Sequence, residues 1–220
     1  MYKLFNAPGA AGLAVHWMLI ELGVLFEALI MDLEKGDQRL PSYLALNPEG
    51  RVPALMVDGK IYTQCGALLM LLAERHPDRS FDRAPDHPDR GLYLQWMVWL
   101  ANTLQPTFRT RTYADGASSP EAAAEIKAAA RAQTGEHFDY LDAHFADGRP
   151  YLLGDAISAA DFHLTMMLRW ARKNPLPASY WANLDRYQSA MRQMPSLREV
   201  HRREGLEDWI YDAPATVLKP

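Results

Sequence analysis

Strand-like and helix-like segments alternate only in the first third of this chain, and helical periodicity alone continues after it. Before Pro77, two short β-like runs enclose a helical run. A polar loop follows, and two further β-like runs flank the dipeptide Asp58-Gly59. Asp-Gly between two such runs is a strong hairpin signal. Because an apolar helical run then closes this part, the first third is expected to fold as an α/β unit.

The predicted elements of this unit follow the order β-α-β-loop-β-β-α, which is that of a thioredoxin fold. Strands are predicted over residues 3–5, 26–31, 52–57 and 60–62, and helices over residues 13–22 and 66–76. Gly23 is expected to close the first helix, since glycine readily takes the left-handed conformation that ends many helices.

The remainder of the chain is predicted to be all-helical. Helical patterns cover residues 90 to about 107, 120–145, 158–171, 180–194 and 196–203. Ser119 before Pro120 predicts a helix start, and Ser158-x-x-Asp161 predicts a capping box. The expected organisation is a thioredoxin-like domain over residues 1–78, a proline-containing linker over 79–89 and an all-α domain over 90–220.

Composition excludes several classes of function. Among 220 residues, 49% are hydrophobic and 23% charged, which is typical of a globular protein, and the net charge is −4. With no basic cluster interleaved with aromatic residues and no long apolar run, we expect neither a nucleic-acid partner nor a membrane. A single cysteine, Cys65, excludes an intrachain disulfide and favours a reducing, cytoplasmic location. No metal is expected.

The most informative stretch is NPEGRVPAL, residues 47–55. It predicts a turn followed by a strand that begins with Val52-Pro53, and proline is tolerated there only if its missing N–H is not needed. A cis bond before Pro53 would turn the backbone N–H and C=O of Val52 outward, free to pair with an extended peptide ligand. A trans proline on an edge strand would explain the same residues.

A strand that runs directly into a helix follows, with Gln64 and Cys65 at the junction. A helix N-terminus offers unpaired N–H groups and partial positive charge, which suit a carboxylate. The two stretches together predict a main-chain clamp for a peptide beside an anion site. Small polar residues are also common at such junctions for structural reasons alone.

These stretches, with the opening APGAAGLAVH, resemble the glutathione transferases, in particular the bacterial beta class. The resemblance implies glutathione as co-substrate and a homodimer. It implies that Val52 and Pro53 hold the cysteinyl part of glutathione and that Gln64 and Cys65 hold the γ-glutamyl end. In the loop DLEKGDQ, the resemblance implies that Lys35 and Gln38 contact the glycine carboxylate of glutathione.

The residues expected to activate the thiol of glutathione differ from those that members of that family have at the same positions. Members use a Tyr, Ser or Cys near the end of the first strand or the start of the first helix, whereas this chain has Asn6 and, at the beta-class cysteine position, Ala11 followed by Gly12. The catalytic candidates are therefore neutral donors: the Asn6 amide and the backbone N–H groups of Ala11 and Gly12. Asn6 could equally cap the loop. Gln64 replaces an acid, so its hydrogen bonds to glutathione lack charge assistance.

The resemblance also implies a pocket for the second substrate on the helical domain. Its candidate residues are Trp99, Gln105, which occupies the beta-class histidine position, Arg109 and Tyr113. Core packing would explain Trp99, and a solvated basic helix end would explain Arg109 equally well. His16 and Cys65 are expected to be packed residues rather than a base or a nucleophile.

The predicted function is that of a glutathione transferase, in which the thiolate of glutathione attacks a small, largely apolar electrophile. Two alternatives remain open from the sequence. One is a glutathione-dependent disulfide reductase. The other is a transferase-like fold kept as a non-catalytic binding or regulatory protein. The absence of a hydroxyl or thiol at the activator position would be consistent with this alternative.

Overall fold

A computed structural model describes residues 1–172, 177–206 and 208–210. Its first part contains four strands, β1 to β4, at Tyr2–Asn6, Phe26–Ile30, Ala54–Val57 and Lys60–Thr63. Three helices accompany them: α1 at Leu13–Leu22, α2 at Pro41–Leu44 and α3 at Cys65–Arg75. Short 3₁₀ turns lie at Asp37–Arg39 and Pro77–Arg79.

The four strands form one mixed sheet in the order β2-β1-β3-β4. β1 pairs in parallel with β2 and antiparallel with β3, and β3 pairs antiparallel with β4. Asp58 and Gly59 both have positive φ, 51° and 79°, as the two central residues of a type I′ hairpin turn require. The predicted thioredoxin-like arrangement of the first domain is confirmed.

Helices alone make up the second part. α4 spans Arg90–Trp99 and continues through a π-helical segment, Leu100–Leu104, into α5 at Gln105–Thr112. A 3₁₀ turn at Ala114–Gly116 precedes α6, Pro120–His144. The remaining elements are α7 at Ala159–Ala171, a 3₁₀ turn at Ala178–Tyr180, α8 at Ala182–Met191 and α9 at Pro195–Glu204.

Helix α1 joins the two parts because almost its whole surface is covered. Residues 13–19 are all buried, and the helix contacts α3 of the first domain and α7 and α9 of the second. A helix that is apolar on every side belongs in a core. The loop that leads into α1 is therefore held between both domains.

The start of α7 carries the predicted capping box. Oδ2 of Asp161 accepts hydrogen bonds at 2.8 Å from both the backbone N–H and the hydroxyl of Ser158, and Oδ1 accepts from the N–H of Leu152 at 2.9 Å. Burial raises the pKa of Asp161, while these donors favour its ionised form. The capping box is confirmed, and it ties α7 to the loop before it.

Two element boundaries and one loop prediction were wrong. The helix from Arg90 continues past residue 107 to Thr112, because the wide π turn lets the helix continue past Pro106 despite its missing N–H. The short α2 was missed within what was predicted as loop. β3 begins at Ala54 rather than Val52, since Ala54 is the first residue of that strand to pair, with Phe5.

Two further predictions concern the C-terminal part of the chain. Predicted helices at 180–194 and 196–203 correspond to α8 and α9, with bounds shifted by a few residues. The last part of the predicted all-α domain, 211–220, lies outside the described residues. No helix in the described ranges is both long and apolar enough to cross a membrane.

Candidate functional site

The strand register brings the three predicted binding segments to one end of the sheet. Ala54 pairs with Phe5 on one side and with Thr63 on the other. The residues next to these partners therefore lie side by side at that end: Asn6 as the last residue of β1, Pro53 before β3 and Gln64 after β4. Antiparallel pairing, rather than sequence proximity, assembles the candidate site.

The Val52–Pro53 peptide bond is cis, so the trans alternative is wrong. Neither the N–H nor the C=O of Val52 has a hydrogen-bond partner anywhere in the described ranges. The preceding carbonyl, that of Arg51, is fixed by the Tyr43 hydroxyl at 2.6 Å and by the Asn47 amide at 2.7 Å. A rigid turn thus presents an unpaired backbone edge.

Gly50 in this turn cannot carry a side chain. Its φ is +59°, and an added Cβ would lie 2.8 Å from Nη1 of Arg39 and 2.9 Å from the carbonyl oxygen of Gln38. The turn therefore packs closely against the loop after β2. That contact couples the position of the loop to that of the Val52 edge.

Lys35 and Gln38 lie in this loop, and their side chains are engaged within it. Nζ of Lys35 lies 2.9 Å from the Asp32 carboxylate, and this hydrogen bond raises the pKa of the exposed lysine. The Gln38 amide donates to the carbonyl of Leu33 at 3.3 Å. A contact with the glycine end of glutathione would require both side chains to exchange these partners.

The junction of β4 and α3 has an unusual backbone. Gln64 has φ +72° and ψ 109°, a region that costs a residue other than glycine about 1–3 kcal/mol. Its side chain is exposed. The first helical hydrogen bond runs from the N–H of Leu68 to the carbonyl of Gln64, which leaves three N–H groups at the helix start without partners in the described chain, those of Cys65, Gly66 and Ala67. This end of α3 is suited to an anion.

Cys65 itself is buried, with 5% of its surface exposed. Burial raises the pKa of its thiol to about 12, so the side chain is a neutral thiol at physiological pH. This agrees with the expectation that Cys65 is not a nucleophile.

A cavity of about 370 Å³ opens beside this junction, between α3 and the continuous helix formed by α4, the π segment and α5. The first domain contributes residues 64–67 and Met70. The second domain contributes residues on both sides of the π turn, among them Ala101, Gln105 and Arg109. Arg109 is the one charged side chain that lines it among the described residues.

The loop after β1 does not present the Asn6 side chain to this cavity. Asn6 is fully buried, and its Nδ2 donates to Oε1 of Glu204 at 2.8 Å. The same carboxylate accepts from the Gly9 N–H at 2.8 Å and contacts Nδ1 of His16 at 2.7 Å. The expectation that Asn6 acts as a donor to sulfur is therefore corrected: its amide supports the loop. His16 is packed, as expected.

Gly12 lies directly against Asn6. An added Cβ on Gly12 would lie 2.1 Å from Oδ1 of Asn6 and 3.1 Å from Cβ of Pro53. The backbone N–H groups of Ala11 and Gly12 have no hydrogen-bond partner in the part of the chain that the structure describes. These two amides remain as donors at the start of α1.

The helical domain also contacts the loop between β1 and α1, at Gly9. Nε1 of Trp170 donates to the Gly9 carbonyl at 2.8 Å. The neighbouring Arg169 is nearly buried, and burial lowers the pKa of its guanidinium to about 10. Sequence reasoning missed Glu204 and Trp170. A signal existed for Glu204, since it continues the helical spacing of the buried α9 residues Leu197, Val200 and His201.

Gln105 contacts a third residue that was not predicted from the sequence, His163. Oε1 of Gln105 lies 2.8 Å from Nε2 of His163 on α7. His163 is fully buried, and burial lowers the pKa of its imidazole to about 4, so the ring is neutral at physiological pH.

The other two pocket candidates lie away from the cavity. Trp99 packs against His137 and Tyr140, with ring centroids 5.5 Å apart in each case, and borders a shallow depression on the outer side of α4. Tyr113 is 71% exposed, with the Arg109 guanidinium 5.7 Å from its ring centroid. The cavity therefore brings together Gln105 and Arg109, but neither Trp99 nor Tyr113.

Comparisons with known proteins agree with this thioredoxin-like and helical arrangement. Residues 1–74 match the family model "Glutathione S-transferase, N-terminal domain", and residues 123–210 match "Glutathione S-transferase, C-terminal domain". Glutathione S-transferase GstA of Escherichia coli O157:H7 is 30% identical over 93% of this chain and 100% of its own length. The chain belongs to the glutathione S-transferase family.

Solved structures support the same assignment. A sphingomonad glutathione S-transferase complexed with glutathione is 32% identical, with a TM-score of 0.82 over 93% of this chain and 99% of its own. A glutathione transferase homologue from Sulfitobacter with bound glutathione is 25% identical, with a TM-score of 0.84 over 94% and 99%. In the described ranges, no group of three or more His, Cys, Asp or Glu residues is placed to hold a metal ion.

Proposed function

We propose that this protein binds glutathione and transfers it to small electrophiles. The observation that carries the proposal is the juxtaposition of three sets of unpaired backbone groups at one end of the sheet: Val52, the start of α3, and the amides of Ala11 and Gly12. An extended peptide with a free carboxylate and a thiol offers matching groups. Relatives solved with glutathione bound have the same fold.

In this proposal each part of glutathione has a separate partner. Its cysteinyl main chain pairs with the N–H and C=O of Val52, and the α-carboxylate of its γ-glutamyl residue lies at the N-terminus of α3. Gln64 hydrogen-bonds the same end without a charge, so we expect weaker binding than an acid would give. Lys35 and Gln38 remain candidates for the glycine carboxylate.

The chemical step is nucleophilic attack by the thiolate. The N–H groups of Ala11 and Gly12 point toward the sulfur and stabilise its negative charge, while the thiol proton passes to solvent. The sulfur then forms a bond to an electrophilic carbon, and the leaving group departs with the bonding electron pair. Gln105 and Arg109 border the space in which the electrophile would lie.

Two further candidate functions are favoured by the hydrogen bond between Asn6 and Glu204. Since the Asn6 amide is committed to Glu204, the activating donors are backbone amides alone, and their effect on the thiol pKa is modest. A glutathione-dependent disulfide reductase, or a binding protein without catalysis, would also function with such a site.

One set of assays separates these functions. Retention on immobilised glutathione, followed by elution with free glutathione, tests binding. Turnover of 1-chloro-2,4-dinitrobenzene is expected to exceed turnover of hydroxyethyl disulfide. The reverse ratio would establish the reductase, retention without either turnover would establish the binding protein, and absence of retention would refute the proposal.

We also propose a homodimer, in which the first domain of one chain packs on the helices of the other. The outer side of α4 supports this, since Leu94 and Val98 are 38% and 58% exposed there. Analytical ultracentrifugation should give twice the mass of one chain. Val98→Glu should shift the distribution toward monomer, and a monomeric wild-type protein would contradict the proposal.

A further inference from the structure

The cavity at the start of α3, about 370 Å³ in volume, carries charge of one sign. Among the described residues that line it, Arg109 is the one charged side chain, and none is acidic. The Arg109 guanidinium contacts the ring of Tyr113 and has no hydrogen bond or ion pair in the described ranges. The unpaired N–H groups of residues 65–67 add partial positive charge from the N-terminus of α3. The cavity is therefore electropositive.

Gln64 adds a neutral amide to this electropositive wall. Its side chain is exposed and has no partner in the described chain. An amide offers both an N–H donor and a C=O acceptor, whereas a carboxylate only accepts. A second amide can therefore exchange one hydrogen bond with Gln64 in each direction. An ammonium would use the acceptor alone, and its positive charge would be compensated by neither Gln64 nor Arg109.

The surface next to the cavity supplies no acid for an ammonium. The depression on the outer side of α4 shares Val98 and Asn102 with the cavity. None of the described residues that line this depression is charged. An ammonium at the γ-glutamyl end of a ligand would thus meet no carboxylate in the lining of either one.

Part of the cavity wall is apolar. Ala67 and Met70 of α3 line it together with Met97 and Ala101 of the helix opposite. Glutathione itself ends at its γ-glutamyl amine, so it has no apolar group that could cover this wall. A small acyl group attached to that amine would supply both the amide that matches Gln64 and the apolar surface.

We propose that this protein prefers a glutathione whose γ-glutamyl amine carries a small acyl group, with the new amide paired to Gln64 and the apolar tail in the cavity. Acylation removes the ammonium, so this end of the ligand keeps its carboxylate alone, which matches Arg109 and the N-terminus of α3. The inference rests on the proposed function, because it names the substrate class of the same site. Gln64 and Arg109 are then the residues that determine specificity.

Isothermal titration with two ligands tests this preference. S-Methylglutathione and N-acetyl-S-methylglutathione differ only at the amine, and neither has a thiol whose ionisation could alter binding. We expect the acetylated ligand to bind the wild-type protein about five-fold more tightly, since it loses an unfavourable positive charge. Equal affinity, or tighter binding of S-methylglutathione, would overturn the inference.

Two substitutions should change this ratio of affinities to different extents. Gln64→Glu places a carboxylate beside the amine, so S-methylglutathione should become the tighter ligand. Arg109→Gln removes the cation, and the preference for the acetylated ligand should fall to about two-fold. Arg111→Gln is the matched control, since Arg111 lies on the same helix but does not line the cavity.

The outcomes for the variants are decisive for each residue. An unchanged ratio in Gln64→Glu would show that Gln64 does not face the amine, which contradicts the inference. An equal fall in Arg109→Gln and Arg111→Gln would show that net charge, rather than a local contact of Arg109, sets the preference. Each ratio compares two ligands on one protein, so a loss of stability in a variant does not imitate the effect.

The length of the acyl group tests the apolar wall. N-Butyryl-S-methylglutathione has two more methylene groups than the acetylated ligand, and we expect three- to ten-fold tighter binding, roughly what their burial contributes. Met70→Gln should reduce this gain and leave the affinity for the acetylated ligand nearly unchanged, because Met70 lines the cavity and is only partly buried. Weaker binding of the butyryl ligand would show that the cavity does not receive the acyl group.

The substrate class and the proposed function fail in distinguishable ways. If the wild-type protein conjugates glutathione and binds S-methylglutathione more tightly than its acetylated form, the substrate class alone is wrong. If neither ligand binds and immobilised glutathione does not retain the protein, the proposed function and the substrate class both fail.

Discussion

The two sides of the candidate glutathione site are built in different ways. The side formed by Val52 and the start of α3 consists of backbone groups, placed by strand pairing within the first domain. The opposite side, residues 7–12, is a loop whose conformation depends on contacts from the helical domain, above all from Glu204. The first side is local to its domain, and the second exists only when both domains are packed together.

This contrast predicts where substitutions far from the ligand should act. The first side consists of backbone groups, so it changes little when side chains elsewhere are replaced. The loop side depends on the buried carboxylate of Glu204, which lies 198 positions from Asn6 in sequence. The following substitutions test the two sides, and a change of pH tests the helical domain that supports the loop.

Glu204→Ala should have the largest effect. It leaves the Asn6 amide and the Gly9 N–H without their acceptor, and we expect a loss of about 3–5 kcal/mol in the free energy of unfolding, measured by urea denaturation. Glutathione affinity should fall as well, because the loop loses its support. Glu199→Ala on the same helix is the control, since its partners Arg202 and Arg203 are exposed. Equal losses in the two variants would contradict the role of Glu204.

Gly12→Ala should damage the loop from within. The added Cβ would lie 2.1 Å from Oδ1 of Asn6, so the loop or Asn6 must move, at a cost of about 3 kcal/mol in the free energy of unfolding. Gly135→Ala in α6 is the control, because no atom lies within 4 Å of its added Cβ. Thermal unfolding would show the contrast, and an unaffected Gly12 variant would mean that the loop is not tightly fitted.

Acid should weaken the helical domain through buried histidines. Burial lowers the folded-state pKa of both His163 and His201 to about 4, below the unfolded value near 6.5, so the unfolded chain binds more protons between these values. Stability is therefore complete above about pH 6.5 and falls as the pH decreases toward 4. At pH 5 we expect a loss of about 2 kcal/mol for each ring. Urea unfolding of His201→Phe at pH 7 and pH 5 should show a smaller difference than the wild type, and an identical difference would contradict it.

Gln64→Glu should have the smallest effect, and it tests the side of the site formed by Val52 and the start of α3. The new carboxylate would pair with the ammonium of the γ-glutamyl end, so we expect binding tighter by about 1 kcal/mol, or about five-fold. Isothermal titration with glutathione measures the change, and the gain should decrease at high salt. Gln193→Glu, at an exposed position between α8 and α9, serves as a charge-matched control. A weaker complex would show that Gln64 does not face the ammonium.

Local patterns were sufficient for most of the first domain. The hairpin at Asp58-Gly59 and the end of α1 at Gly23 depend on a few neighbouring residues with narrow backbone preferences. The same holds for the capping box of α7. The sequence left the cis and trans forms of the Val52–Pro53 bond open, and the structure has the cis form. Helix bounds were less predictable, since the π turn at residues 100–104 carries the helix past Pro106.

The side-chain partners of the site were decided by the tertiary structure. From sequence, Asn6 was a reasonable sulfur donor and Trp99 a reasonable pocket residue. In the structure, the Asn6 amide is hydrogen-bonded to the buried carboxylate of Glu204. Trp99 packs against aromatic side chains of α6, on another side of α4 from the cavity. A backbone conformation follows from residues next to it, whereas a buried hydrogen bond needs a partner that only the packing of distant helices supplies.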